Sequence, residues 1–204
     1  MPEAHYLQPV PTVLRHAVED IRNLVERERG GAALLEALRA PAEALLHDPT
    51  WIDEASRRAV PGETATWAIY RSQSPDLCIF TMVVMPGEAT RVHNHLTDGW
   101  VGLVQGAQVE RKYRRRDDGR RDGYADLELV AEERLDLGAL TPLRHPDEDI
   151  HQVLTASDGP SVSLHLLCND LGTVERQSFD PATHAVTDFV SGYTNVEGHS
   201  RISG

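Results

Sequence analysis

The chain has 204 residues, with 32 acidic and 20 basic side chains and a formal charge of −12. That length suits one domain with at most a small appendage, and the charge argues against nucleic acid or anionic lipid as partners, since both reward positive surfaces. Hydrophobic residues make up 40%, enough for an ordinary core. No apolar run approaches the roughly 20 residues that cross a bilayer, so no membrane partner is expected.

The first residues, Met1 to His5, carry neither a basic start nor an apolar core, so no signal peptide is expected and the location is expected to be cytoplasmic. A helical region comes first. Val13, Ala17, Ile21, Leu24 and Val25 recur at helical spacing behind Thr12, which is placed as an N-cap. Gly30-Gly31 punctuates it. A second helical stretch runs from Ala32 to Leu46, with Pro41 expected at a helix start or a kink. Asp53 to Arg58 reads as a short third helix, and Pro61-Gly62 ends the region. Residues 1–63 are therefore expected to be a helical layer, and 64–204 a β-barrel that carries the site.

From Thr64 the pattern changes to short strands. The expected ones are Thr66–Arg71, Leu77–Met85, Trp100–Val104, Ala107–Arg114, Leu127–Val130, Arg134–Leu137, His151–Thr155, Val162–Cys168, Arg176–Phe179 and Val186–Val190. Turn signals divide them, among them Ser74-Pro75, Pro86-Gly87 and Ser157-Asp-Gly-Pro160. Many short strands at fairly regular spacing predict a closed sandwich or barrel. The mixed-charge run Arg111 to Asp122 reads as a solvated hairpin. Cys78 and Cys168 fall in apolar runs and read as buried free thiols in a reducing compartment.

The chemistry concentrates in His93-Asn-His95. Two histidines at i and i+2 on a strand share a face, so both rings can offer a ligand to one transition metal. A third ligand must come from another strand, and His151 in Asp-Ile-His-Gln-Val suits that role. Gly87, five residues, His93-x-His95, three residues, Gly99, six residues and Gly106 together resemble the first cupin motif, and His151 the histidine of the second. The fold this resemblance implies is mainly β: a cupin jelly-roll barrel with N-terminal α-helices packed against it.

Most cupins place a glutamate ligand where this chain has Gly99. Three neutral imidazoles suit zinc with a water, whereas ferrous iron more often takes two histidines and a carboxylate. With no carboxylate, the substrate can supply the anion, and a thiolate does this well because metal binding lowers its pKa. Together with Ser163-Leu-His165, these residues resemble the thiol dioxygenase branch of the cupins, which includes cysteine dioxygenase and 3-mercaptopropionate dioxygenase. The likeness covers roughly residues 64–196, and Phe189 to Asn195 looks closer to the 3-mercaptopropionate enzymes than to animal cysteine dioxygenases.

The resemblance implies Fe(II) held by His93, His95 and His151, O2 as co-substrate and a small thiol or thione as substrate. It also implies Ser163 and His165 as the first two members of an outer Ser-His-Tyr triad, and Arg176 as a substrate anchor. Gly99 stands where animal cysteine dioxygenases have a crosslinking cysteine, so no crosslink is implied.

The triad's third position is Leu167, not tyrosine. Leucine can neither donate to an oxygen species nor bind a carboxylate. Either another hydroxyl substitutes, with Tyr193 and Tyr70 as candidates, or the substrate is larger, such as ergothioneine with its trimethylammonium against an aromatic face, for example Trp100. His145, beside Pro146 in an acidic loop, is expected to have a non-ligand role, and His5, His16, His47, His184 and His199 are expected to have no site role. Two rival readings are another metal-dependent cupin enzyme (a carbon-cleaving dioxygenase or an isomerase) and a non-catalytic cupin that binds a metal or small molecule.

Overall fold

The computed structural model of the protein describes residues 5–6, 10–28, 31–73 and 76–196. Gly30, the Ser74-Pro75 turn and His199 lie outside the described residues. Helix α1 (Thr12–Glu28) buries Leu14, Ala17, Val18 and Ile21, which stand at i, i+3, i+4 and i+7. Of the expected stripe, Ala17 and Ile21 are buried and Leu24 and Val25 pack partly buried on the same core, while Val13 is exposed and Leu14 is buried instead. Helix α2 (Gly31–His47) buries Leu34, Leu35, Leu38, Ala42 and Leu45. Pro41 lies inside α2 and does not start a helix. The expected third helix, Asp53 to Arg58, is one short 3₁₀ turn, Ala55–Arg57, and another such turn, Pro49–Trp51, precedes it. At Pro61-Gly62 the chain turns, with Gly62 at φ +77° and Glu63 N–H donating to the Val60 carbonyl.

Two six-stranded antiparallel sheets follow. The first contains β1 (His5–Tyr6), β2 (Ala65–Gln73), β3 (Asp76–Val84), β5 (Gly99–Gln105), β8 (Leu140–Leu143) and β10 (Ser161–Leu167), in the order β1-β2-β3-β10-β5-β8. The second contains β4 (Val92–His93), β6 (Gln108–Arg115), β7 (Leu127–Leu135), β9 (Ile150–Thr155), β11 (Arg176–Asp180) and β12 (Ala185–Phe189), in the order β12-β11-β4-β9-β6-β7. The two sheets make a jelly-roll-type barrel, with the helices laid against the first sheet.

Strand alternation explains how the first sheet serves two cores at once. On β3, Leu77, Ile79 and Val83 join the helices' apolar cluster, while Cys78, Phe80, Met82 and Val84 face the barrel interior. On β10, Val162, Leu164 and Leu166 face the helices, so the alternate residues Ser163, His165 and Leu167 face inward. On β5, Trp100 and Val104 face the helices and Val101 faces inward. Gly102 falls on the helix side, where an added Cβ would collide with the Leu46 side chain, so only glycine lets α2 approach this closely.

Three strand expectations need correction. Leu127–Val130 and Arg134–Leu137 are one strand, β7, because Glu132 and Glu133 sit on an edge strand where charge is solvated. β8 has no forecast counterpart, since it contains Pro142. A proline is tolerated there because β8 is an edge. His93 ends the two-residue β4, and His95 lies beyond it, so the His-x-His pair is only half strand. Cys78 is buried, but Cys168 is half-buried.

Candidate metal centre

His93 pairs across the sheet with His151 on β9 and with Ser178 on β11, so the two histidines lie side by side on neighbouring strands. His95 arrives through a local bend in which Leu96 adopts φ +55°. The Asp149 carboxylate holds that bend by accepting from the Leu96 N–H at 3.1 Å. Asn94, between the two histidines, latches β4 to β11. Its N–H donates to the Gln177 carbonyl and its Oδ1 accepts from the Gln177 N–H.

The three rings converge, with centroids 4.7 to 5.0 Å apart. One nitrogen from each lies within 4.8 Å of the others, a spacing that can hold one metal ion. Each Nδ1 faces an acceptor: His93 the Arg91 carbonyl at 2.8 Å, His95 the Asp149 carbonyl at 3.0 Å, and His151 the Glu110 carboxylate at 2.7 Å. Carbonyls and carboxylates only accept, so all three Nδ1 atoms carry the proton and all three Nε2 lone pairs are left to the centre. His151 Nε2 is buried and has no hydrogen-bond partner. Burial above all, then the Arg176 charge for His93 and the neighbouring histidines for His95, holds both rings well below the usual histidine pKa and therefore neutral. A buried, neutral lone pair that faces the shared centre fits a metal ion better than it fits any group of this chain.

The outer residues divide. Ser163 and His165 meet as expected, Ser163 Oγ to His165 Nε2 at 3.0 Å, both fully buried. His165 stacks on Phe80 at 4.5 Å. Burial first, then the His151 and Arg176 charges, lower its pKa to about 3, and its Nδ1 has no partner. Leu167 is fully buried opposite Gly99, and its Cδ2 lies 2.5 Å from where a Cβ on residue 99 would stand. The space that a side chain at position 99 would need is therefore filled by Leu167.

Arg176 is 6% exposed. Its Nη1 donates to the Asn94 carbonyl at 3.1 Å and its plane covers Phe189 at 4.3 Å, while its Nε has no partner. Burial lowers its pKa to about 10. With His93 it lines a cavity of about 520 Å³, whose other walls include Thr66, Met82, Phe189 and Tyr193.

The tyrosines do not stand in for the missing phenol. Tyr193 donates to Asp170 at 2.8 Å and accepts from the Gly172 N–H at 3.1 Å, so its hydroxyl is spent while its ring lines the cavity. Tyr70 faces the helices, because the bulge after Ala68 turns it outward, and its hydroxyl accepts from Arg22. Trp100 also points outward, with Nε1–H donating to the Leu35 carbonyl at 2.7 Å. It belongs to the helix–sheet core on the far side of β5 from the histidines.

Sequence reading missed Glu110, Asp149 and Asn94. Glu110 carried only a weak signal, its inward alternation with Gln108. His145, expected to have a non-ligand role, donates from Nδ1 to Asp149 Oδ2 at 2.9 Å and so braces the loop that carries His95.

No family model matches the chain. Solved structures of similar fold include TT1209 from Thermus thermophilus, at 19% identity and TM-score 0.42 over 57% of this chain and 94% of that one. A cupin superfamily protein from Desulfitobacterium hafniense matches at 17% and 0.40, over 60% of this chain and 94% of that one. An oxalate decarboxylase from Lactobacillus farciminis, solved as a formate complex, matches at 16% and 0.42 over 56% of this chain, but this chain spans only 32% of that one. The chain has a two-sheet β-barrel with a three-histidine cluster that can hold a metal. No described helix is long and apolar enough to cross a membrane.

Proposed function

We propose that the protein is an iron-dependent thiol dioxygenase acting on a thiol or thione that also carries a carboxylate. The observation that carries this reading is that His93, one of the three clustered imidazoles, and the buried Arg176 guanidinium, whose Nε has no hydrogen-bond partner, line the same cavity. Three neutral ligands leave a divalent ion its full charge, and Arg176 adds a second positive centre. A substrate bearing a thiolate and a carboxylate answers both. His93, His95 and His151 would hold the ion.

Iron, when bound, supplies the redox centre at which both atoms of O2 pass to sulfur, turning R–SH into R–SO2H. The chain's own residues orient and shield. Arg176 fixes the carboxylate end of the substrate, which aligns the sulfur with the histidine cluster. Ser163 and His165 form a neutral hydrogen-bonded pair beside the site, able to hold a proton on the oxygen or on the ring. Leu167, Phe80 and Val101 keep the interior dry. The cavity volume falls in the range of pockets that take drug-sized ligands, which favours a substrate larger than a three-carbon thiol. Such a substrate would meet Phe189 and Tyr193, not Trp100.

The test is oxygen consumption by the ferrous-loaded protein with cysteine, 3-mercaptopropionate, cysteamine and ergothioneine, with the sulfur product identified by mass. Uptake matched by a sulfinate from one member supports the reading. An iron-loaded site that consumes no oxygen with any of them, while turning over a carbon substrate or none, would replace it with another cupin chemistry or a binding role.

A further inference from the structure

The three histidines are supported unequally. His93 and His95 donate their Nδ1 protons to backbone carbonyls, whereas His151 donates to a side-chain carboxylate, Glu110 Oε1, at 2.7 Å. Glu110 is 2% exposed and lies on β6, next to β9, with Gln108 and Lys112 at alternate positions. Its Oε2 accepts no hydrogen bond. The nearest cation is the Lys112 ammonium, 3.7 Å away on a side chain about a fifth exposed. A buried carboxylate is costly unless something uses its charge. A carboxylate behind a metal-binding imidazole makes that imidazole a stronger donor. At position 99 no anionic ligand can stand, because Leu166 O and Leu167 already occupy the space.

Resting on the metal reading above, we propose that Glu110 is a positioning residue that delivers to the metal, through His151, the negative charge that the three-histidine cluster lacks. Glu110 does not touch substrate. It fixes the His151 tautomer and makes His151 the strongest donor of the three, so it favours a more highly charged ion over a less charged one.

Glu110→Gln separates the charge from the hydrogen bond, since the amide oxygen still accepts from Nδ1–H in nearly the same shape. In the full-length protein, ferrous iron affinity is measured by chelator competition, and the ferric/ferrous midpoint potential by spectroelectrochemistry. Glu110→Gln should weaken iron binding by about 10- to 100-fold and raise the midpoint potential, because loss of a negative charge destabilises the ferric state more than the ferrous. Lys112→Met removes the cation that offsets Glu110 and should lower the potential; this variant decides the matter if Glu110→Gln does not fold. A potential unmoved in both variants, with wild-type protein binding iron normally, overturns the inference and leaves the metal reading standing. A wild-type protein that takes up no metal at these histidines overturns the metal reading and the inference together.

Discussion

Arg176→Met keeps a stem of similar length and removes the charged head, so it separates substrate anchoring from structural support. Lowering the guanidinium pKa to about 10 by burial corresponds to a cost of about 3 kcal/mol for keeping the charge inside. Removing the head recovers that cost. It forfeits the bond to the Asn94 carbonyl, about 1.5–3 kcal/mol for a charged donor, and the contact over Phe189, about 1 kcal/mol. The terms nearly cancel, so the unfolding free energy should change by no more than about 1–2 kcal/mol. Catalysis should suffer far more. Losing a desolvated carboxylate–guanidinium contact costs about 2–5 kcal/mol, or roughly 100-fold or more in kcat/KM for a carboxylate-bearing thiol. The drop should be smaller for cysteamine, which lacks the carboxylate. Urea denaturation and oxygen uptake across substrate concentration measure the two sides. A variant destabilised by more than about 3 kcal/mol with unchanged kcat/KM would refute the reasoning, for Arg176 would then be a structural ion held by the fold.

Leu167→Tyr would return a phenol to the strand beside His165 at a packing cost of about 1–3 kcal/mol. Turnover of 3-mercaptopropionate should then improve relative to ergothioneine, read as the ratio of their specificity constants. An unchanged ratio in a folded variant would contradict the role given to the missing hydroxyl. The metal-free protein should be acid-labile. The folded His165 pKa, about 3, lies below that of an unfolded histidine near 6.5, so the unfolded chain takes up the proton first as pH falls. Stability is therefore complete above about pH 6.5 and is lost progressively toward pH 3, with His93 and His95 shifted in the same direction. By pH 5 the loss is at most about 2 kcal/mol for each such histidine. A urea midpoint that is the same at pH 7.5 and pH 5 would contradict this.

Much of the barrel was legible because its strands obey period-2 patterning between clear turns, and the helices because their apolar stripe returns every three to four residues. Legibility failed where a neighbour overrides local preference. Pro142 sits in a strand because β8 is an edge, and Glu132-Glu133 continues one because β7 is. At the site, His93, His95 and His151 are readable from spacing, and so is the Ser163–His165 pair, since i and i+2 share a face. What no spacing announces is which face a strand turns toward which layer. Trp100 adjoins Gly99 in sequence but faces α2, and Tyr70 is turned outward by a bulge after Ala68. Glu110 shows only its inward alternation with Gln108, because its meaning depends on pairing with a strand some forty residues away.

Whether His93, His95 and His151 form one metal centre is decided by titrating the wild-type protein and His151→Ala with ferrous iron under anaerobic conditions. One tightly held equivalent is expected in the wild-type protein, and its loss, together with oxygen uptake, in the variant. An active His151→Ala protein that still holds one equivalent of iron would contradict the assignment.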